Sequence, residues 1–209
     1  KIKVIGVEPE GASCLKASME AGKVVTLERV STIADGTAVK TPGALIFPYL
    51  AKNLDAILTV GDEELVVAFL DMVENHKMVV ENSGLLTVAA LKHLNVKNKK
   101  VAAILSGGNM DVITMSSVVQ QGLIMRDRIF TVSVLLPDKP GELSHVADVI
   151  AKESGNVIKL EHNQFVSINR SAAVELRITM EAFGTDHKHQ IIRALEKNGY
   201  KPKLVRTNI

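Results

Sequence analysis

The sequence has few of the residues that mark several common protein classes. It contains one cysteine, Cys14, no tryptophan and only 3% aromatic residues. A single cysteine excludes a framework of internal disulfide bonds and favours a reducing, cytoplasmic environment. With a net charge of +2 and so few rings, no basic stripe interleaved with aromatic residues exists, which argues against nucleic acid as a partner.

Long apolar runs are also missing. No run reaches the length of a membrane span, and no charged segment followed by an apolar one marks a secretory signal. What is present is an aliphatic composition, with 46% hydrophobic residues in a chain of 209, which is enough for one large or two modest domains. Because the first residue is Lys1 and a strand pattern begins at Ile2, we expect the numbered chain to begin within a domain.

The most informative stretch lies near the middle of the chain. The apolar run from Val101 to Leu105 is followed by Ser106, Gly107 and Gly108, and Asp111 then opens an amphipathic segment. This pattern predicts a buried parallel strand, a tight turn and a helix start. Ligands lie at the carboxyl ends of such strands, so Ser106 is expected to face a pocket. The alternative is a turn that needs glycine only for its dihedral angles.

Before this stretch, strand patterns alternate with helix patterns, which predicts a parallel sheet covered on both faces. The helix predicted at Glu63–Glu74 has one apolar face, formed by Leu65, Val66, Phe69, Leu70 and Val73. The acids Asp62, Glu63 and Glu64 lie at its start, where they complement its dipole and point in different directions. We therefore interpret them as helix-start charges rather than as catalytic groups. Glu81 ends an apolar run ahead of another helix, which is typical of a pocket residue or of a capping acid.

From residue 126 the pattern changes to βαββαβ, the split arrangement of ferredoxin-like domains. We therefore divide the chain into domains 1–125 and 126–209. One face of the second domain's antiparallel sheet is covered by two helices, and the other is solvated or paired with another copy. The predicted strands are Ile129–Leu136, Val157–Val166, Ala173–Phe183 and Tyr200–Arg206, and the predicted helices run from Leu143 to Ala151 and from Asp186 to Lys197.

Four short motifs, in this order, carry a resemblance for the first domain. They are Ile5-Gly6-Val7-Glu8-Pro9, Thr32-Ile33-Ala34-Asp35-Gly36, Glu81 ahead of Ser83-Gly84, and Ile104-Leu105-Ser106-Gly107-Gly108-Asn109 followed by Asp111. Together they resemble the C-terminal part of the catalytic domain of the threonine ammonia-lyase (threonine dehydratase) family, pyridoxal-phosphate enzymes of fold type II that include serine dehydratase and serine racemase. The resemblance implies a lyase that converts L-threonine to 2-oxobutanoate and ammonia.

The same resemblance implies roles for individual residues. Ser106 is expected to hydrogen-bond the pyridine nitrogen of pyridoxal 5'-phosphate, and the backbones of Gly36 and Gly107 to line the cofactor. Glu81 is expected to be the catalytic carboxylate of the pocket. A hydroxyl, unlike a carboxylate, does not enforce protonation of the ring nitrogen, so this arrangement suits loss of a β-hydroxyl better than transamination.

Two parts of the family's machinery are absent from the sequence. No lysine occurs in the family's Ser-Phe-Lys-x-Arg-Gly-Ala context, and the longest glycine run is Gly107-Gly108. We therefore expect this chain alone neither to hold the cofactor covalently nor to turn over threonine. No metal site is expected either, because Cys14 stands where relatives that bind a cation near Glu8 carry a carboxylate, and hard cations prefer oxygen ligands.

The second domain resembles an ACT domain, a module that binds small molecules, through Leu136-Pro137-Asp138-Lys139-Pro140-Gly141-Glu142-Leu143. The fold class implied by both resemblances is α/β, a partial fold-type-II catalytic domain followed by a ferredoxin-like ACT domain. An amino-acid effector is expected at Asp138, Gly141, Glu142 and Leu143, against His162 and Asn163 of a partner copy in a homo-oligomer. The alternative for this loop is a plain tight turn.

Two other functions stay open at this point. The chain could be a stand-alone amino-acid-binding regulatory module, or part of a serine dehydratase or racemase of the same fold. His187 and His189 are two residues apart on a predicted helix and point in different directions, so they are not expected to bind a metal together.

Overall fold

The computed structural model describes residues 2–163 and 174–208, and the chain forms two compact units, Lys1–Val119 and Gln120–Ile209. None of the helices in those two ranges combines the length and the apolar character that crossing a membrane requires. The architecture is mixed, because the first unit contains a parallel pair of strands and the second an antiparallel sheet.

The first unit is built around two parallel strands, β1 (Ile5–Pro9) and β2 (Ala56–Val60). The helices are α1 (Cys14–Ala21), α2 (Phe47–Asn53), α3 (Asp62–Asp71) and α4 (Leu86–Ala89), and α5 (Val112–Met125) continues past the boundary between the units. The predicted apolar face of α3 is confirmed, since Leu65, Val66, Phe69 and Leu70 are buried. Apolar residues at this spacing share one side of a helix.

The strand predicted at Val101–Leu105 is wrong. Residues 101–111 have no regular structure, and the side chain of Ile104 is 76% exposed. A strand exists only where a neighbour accepts and donates its backbone hydrogen bonds, and β1 and β2 pair only with each other among the described residues. The parallel sheet of the first unit therefore has two strands there, fewer than the alternating pattern predicts.

The sequence also predicts a helix over Ala44–Leu54, interrupted near Pro48, and a helix over Leu85–Leu94, and both predictions need correction. The helix expected from Ala44 begins at Phe47 instead, and Pro48 lies in its first turn rather than interrupting it. Proline fits there because the first N–H groups of a helix have no intrahelical partner. The single helix predicted at Leu85–Leu94 is a 3₁₀ turn over Asn82–Leu85, the short α4, and a second 3₁₀ turn over Ala90–His93.

The second unit follows the predicted order of elements. Its strands are β3 (Ile129–Leu136), β4 (Asn156–Asn163), β5 (Val174–Glu181) and β6 (Lys203–Val205), and its helices are α6 (Glu142–Lys152) and α7 (Thr185–Lys197). All neighbours are antiparallel, in the order β4-β5-β3-β6. The predicted strand ends at residues 164–166 and 173 lie outside the described residues.

Alternation along β3 separates the two faces of this sheet. Phe130, Val132, Val134 and Leu136 are buried with Val146 and Ile150 of α6 and with Ile191 and Leu195 of α7. On the opposite face, the hydroxyls of Thr131 and Thr179 share a hydrogen bond of 2.8 Å. The predicted helix-covered face is confirmed for β3, whereas Thr131 and Ser133 on its other face are buried rather than solvated.

Candidate functional site

The site in the first unit is centred on Glu81, which precedes the 3₁₀ turn at Asn82–Leu85. Its carbonyl oxygen accepts the backbone N–H groups of Gly84 (2.9 Å) and Leu85 (3.2 Å), which fixes it at the start of that turn. Its own N–H donates to the carbonyl oxygen of Gly107 at 3.3 Å. Glu81 is thus held between the turn and the segment that carries Ser106 and Gly107.

Two glycines allow the backbone to approach the Glu81 carboxylate. Gly107 has a φ of +78°, and a Cβ built on it would overlap Oε1 and Cδ of Glu81. A Cβ on Gly36 would lie 2.9 Å from Oγ of Ser83 and 3.7 Å from Oε1 of Glu81. The structure therefore brings together Gly36, Glu81 and Gly107, three residues that are far apart in the sequence.

Ser106 lies on the same segment and is exposed. Its carbonyl oxygen faces Gly84 so closely that a Cβ on Gly84 would overlap it. The segment is also held by the hydroxyl of Thr87, which donates to the carbonyl oxygen of Ile104 at 2.8 Å. Ser106 is thus held in an open position beside the Glu81 turn, although the strand predicted to carry it does not form.

The loop that carries Gly36 is held by two side chains to which sequence reasoning gave no role in this loop. Asp62, the first residue of α3, accepts the hydroxyl of Thr32 at 2.6 Å and the N–H of Ile33 at 3.1 Å. The amide of Asn82 donates to the carbonyl oxygen of Ile33 at 3.0 Å. Asp62 therefore does more than complement the dipole of α3. No local pattern marks Asn82, which is separated from the apolar residues Met78–Val80 by Glu81.

Two buried polar atoms of this cluster have no hydrogen-bond partner within the described chain, Oδ1 of Asn82 and Oγ of Ser83. Buried polar atoms are nearly always paired, so unpaired ones mark a place where water or a ligand binds. Ser83 Oγ is the atom that faces Gly36. The cluster thus combines a carboxylate, an unpaired hydroxyl and close glycine backbone, which suits a flat polar ligand.

The first unit matches a known protein family. A family model described as "Pyridoxal-phosphate dependent enzyme" matches residues 1–107, more than half of the chain. The chain belongs to the pyridoxal-phosphate dependent enzymes. An L-threonine ammonia-lyase of Thermotoga maritima is 34% identical over 206 residues, which is 98% of this chain and 51% of that protein.

Two solved structures are similar in fold to part of this chain. The processed form of threonine deaminase isoform 2 from Solanum lycopersicum has a TM-score of 0.53 and 32% identity over 56% of this chain and 36% of that one. Serine racemase from maize has a TM-score of 0.50 and 32% identity over 57% and 40% of the two chains. The chain spans about half the length of the L-threonine ammonia-lyase that it matches.

The residues of the first unit fit part of a pyridoxal-phosphate site. Glycine at residues 36 and 107 lets the backbone lie against the Ser83 hydroxyl and the Glu81 carboxylate, and these are polar groups of the kind that such a cofactor needs. The sequence contains neither the family's lysine motif nor a glycine-rich cup for the phosphate. Gly36, Glu81, Ser83 and Gly107 would form the polar and glycine wall of such a site.

Glu8, considered above as a cation ligand, has another role in the structure. Its carboxylate accepts the backbone N–H groups of Leu15 and Lys16 at 2.8 Å each, which satisfies donors at the start of α1. Burial, and then the negative charge of Glu8, raise the pKa of the neighbouring Cys14 thiol. Within residues 2–163 and 174–208, no three His, Cys, Asp or Glu side chains are grouped to hold a metal ion.

The residues expected to bind an effector lie in the second unit. Asp138 is in the loop between β3 and α6, Gly141 precedes α6 with a φ of +93°, and Glu142 and Leu143 begin the helix. No side chain caps this helix start. Glu175 of β5 pairs with Leu135 of β3 on one side and with Asn163 of β4 on the other. His162 and Asn163 therefore lie at the same end of the sheet as the loop that follows β3. The amide of Asn163 donates to Glu175 at 3.4 Å.

Proposed function

We propose that this chain forms the C-terminal part of a pyridoxal-phosphate-dependent threonine ammonia-lyase, which converts L-threonine to 2-oxobutanoate and ammonia. The observation that carries the proposal is the Glu81 carboxylate held between the backbones of Gly36 and Gly107. The threonine ammonia-lyase of Thermotoga maritima supports it through similarity along nearly the whole chain. The second candidate is a serine racemase, which the similarity to the maize structure favours.

In this proposal each residue has a defined task. Bound pyridoxal 5'-phosphate supplies an electron sink for bond breaking at the substrate's Cα. The Ser106 hydroxyl hydrogen-bonds the pyridine nitrogen, and Gly36 and Gly107 let the backbone approach the ring. The Glu81 carboxylate, which is half-buried, accepts or donates a proton beside the reacting group. Asp62 and Asn82 position the Gly36 loop.

We further propose that residues 126–209 form an ACT domain that binds an amino-acid effector and joins copies of the chain in a homo-oligomer. The uncapped start of α6 supports this, because free N–H groups at a helix start attract a carboxylate. Asp138, Gly141, Glu142 and Leu143 would form one side of the site, and His162 and Asn163 of a second copy the other. The unpaired Cys14 is consistent with work in the cytoplasm.

The catalytic proposal is tested by joining this chain to the first half of the Thermotoga maritima relative, which would precede the matched region. We expect the purified fusion to bind pyridoxal 5'-phosphate, seen by visible absorbance, and to form 2-oxobutanoate from L-threonine faster than pyruvate from L-serine. The 209-residue chain with added cofactor is the control. It should show no turnover because it lacks the lysine motif.

Other outcomes would change the assignment. D-serine as the main product would favour the racemase. A fusion that binds the cofactor but acts on neither amino acid would contradict the lyase proposal. Turnover by the 209-residue chain alone would show that the expected lysine is not needed.

The effector proposal is tested by changing Gly141 to valine. Binding of L-isoleucine or L-valine at the start of α6, measured by calorimetry and by amide shifts of residues 138–143 in NMR spectra, should be lost, because a side chain at this position would cover the N–H groups there. Gly199 is a matched control. Both glycines have positive φ, +93° and +87°, and a Cβ on either would meet nothing within 4 Å. Equal loss of binding in Gly199→Val would indicate backbone strain rather than a site.

A further inference from the structure

A cavity in the Gln120–Ile209 unit lies at the opposite end of the sheet from the Asp138–Leu143 loop. Its volume is about 170 Å³. Asn156, Glu181 and Ile129 form one row across β4, β5 and β3, and all three line it. Arg128, which directly precedes β3, also lines it.

Two of the polar groups that line this cavity are charged, the Arg128 guanidinium and the Glu181 carboxylate. The amide of Asn156 donates to Oε2 of Glu181 at 2.8 Å, which orients the carboxylate and leaves its other oxygen without a hydrogen bond in the described chain. Nε of Arg128 donates to the carbonyl oxygen of Ala182 at 2.9 Å, and its terminal nitrogens make no hydrogen bond there. One guanidinium and one carboxylate match a ligand with one carboxylate and one ammonium group.

Apart from Ser154, the remaining lining is apolar and comes from Leu123, Ile129, Ala182 and Phe183. The Phe183 side chain is 78% exposed although it is aromatic. A water in the liquid takes about 30 Å³, so this cavity holds the equivalent of about five to six waters. That is the size of a small aliphatic amino acid, and it is below the range usual for larger ligands.

A single histidine joins two walls of the cavity. Nδ1 of His187 accepts the backbone N–H of Phe183 at 3.0 Å, and Nε2 lies 2.6 Å from the carbonyl oxygen of Glu153. The Phe183 ring also stacks on the imidazole, with centroids 4.8 Å apart. The segments that carry Ser154 and Phe183 are therefore fixed relative to each other without a ligand, which lowers the entropy lost on binding.

We propose that this cavity binds a small aliphatic α-amino acid as its zwitterion. Arg128 binds the carboxylate, Glu181 binds the ammonium group, and the apolar lining contacts the side chain. The proposed effector site uses backbone N–H groups at the start of α6, so the two sites share no residue. Either proposal can fail without the other.

The test uses L-valine and two analogues that each lack one charge, L-valinamide without the carboxylate and 2-hydroxy-3-methylbutanoate without the ammonium group. Calorimetry on the 209-residue chain should show L-valine binding at least about tenfold more tightly than either, since a hydrogen bond to a charged group contributes about 1.5–3 kcal/mol. Amide shifts in NMR spectra should change at residues 154–156 and 181–183. Glu181→Gln should remove the preference over the hydroxy acid, and Arg128→Gln the preference over the amide.

The matched control is Arg206→Gln, which removes an arginine that lines a separate cleft in the same unit. It should leave all three affinities unchanged. The proposal is wrong if valine does not bind, if Glu181→Gln keeps the preference over the hydroxy acid, or if the shifts change only at residues 138–143. Gly141→Val separates the sites further, because it should abolish shifts at the loop and preserve those at residues 154–156.

Discussion

Replacing Gly84 with alanine is expected to detach the segment that carries Ser106 from the Glu81 turn. A Cβ at residue 84 would overlap the carbonyl oxygen of Ser106 and lie 2.9 Å from Cγ1 of Val80. Because the overlapped oxygen belongs to the backbone, it cannot avoid the new Cβ by a change of rotamer, so residues 101–108 must move. We expect the free energy of unfolding of the first unit to fall by about 3 kcal/mol, at the upper end for overpacking.

The measurement is hydrogen–deuterium exchange of the first unit, together with trypsin cleavage after Lys97, Lys99 and Lys100. Both should increase in Gly84→Ala. Gly108→Ala is the matched control, because a Cβ there would meet nothing within 4 Å and its φ is not positive. Equal exchange in the two variants would mean that the close approach of Gly84 to Ser106 does not hold the segment.

Replacing Asn82 with aspartate is expected to destabilise the Gly36 loop strongly at neutral pH. The Asn82 side chain is only 3% exposed, and its amide is the donor to the Ile33 carbonyl oxygen. An ionised carboxylate at residue 82 would be buried away from water. It would also face the Ile33 carbonyl oxygen, which is itself a hydrogen-bond acceptor. We expect a loss of about 3–5 kcal/mol, as for a buried charge without a partner.

This loss should depend on pH in a definite direction. Burial raises the pKa of the new carboxyl in the folded state above its unfolded value. The folded chain then binds the extra proton, so the penalty is largest above the folded pKa and shrinks as the pH falls toward the unfolded pKa. Hydrogen exchange at residues 31–37, followed across pH, would measure it after correction for the intrinsic exchange rate.

Asn53→Asp is the control for this variant. Its amide also donates to a backbone carbonyl, that of Tyr49 at 2.7 Å, but the residue is exposed. We therefore expect a change within about 0.5 kcal/mol, as is usual at the surface. A pH dependence of equal size in both variants would contradict the proposed buried role of Asn82.

The spacing of apolar residues correctly predicted those features of the fold that depend on a single helix or strand. The buried side of α3 and the alternation along β3 are of this kind, because residue spacing alone decides which side chains share a face. Val101–Leu105 has the composition of a strand and does not form one. Pairing requires a neighbouring strand at that edge, and an apolar run carries no information about whether one is present.

The candidate site divides in a similar way. Gly36, Glu81 and Gly107 stand in short motifs that the sequence displays, and the structure brings them together. Whether they bind the cofactor stays a prediction. Asp62 and Asn82 could not be identified, because their contacts cross 30 and 49 residues of sequence. Asp62 also had a sufficient local interpretation as a helix-start acid.

The burial of Cys14 has a practical consequence. Because burial and Glu8 raise the pKa of its thiol, the sulfur stays protonated at neutral pH and reacts slowly with alkylating reagents. It is also the only sulfhydryl in the chain, so every labelled molecule was modified at the same atom. The rate of iodoacetamide labelling therefore measures how often α1 separates from β1, and it does so without an added fluorophore.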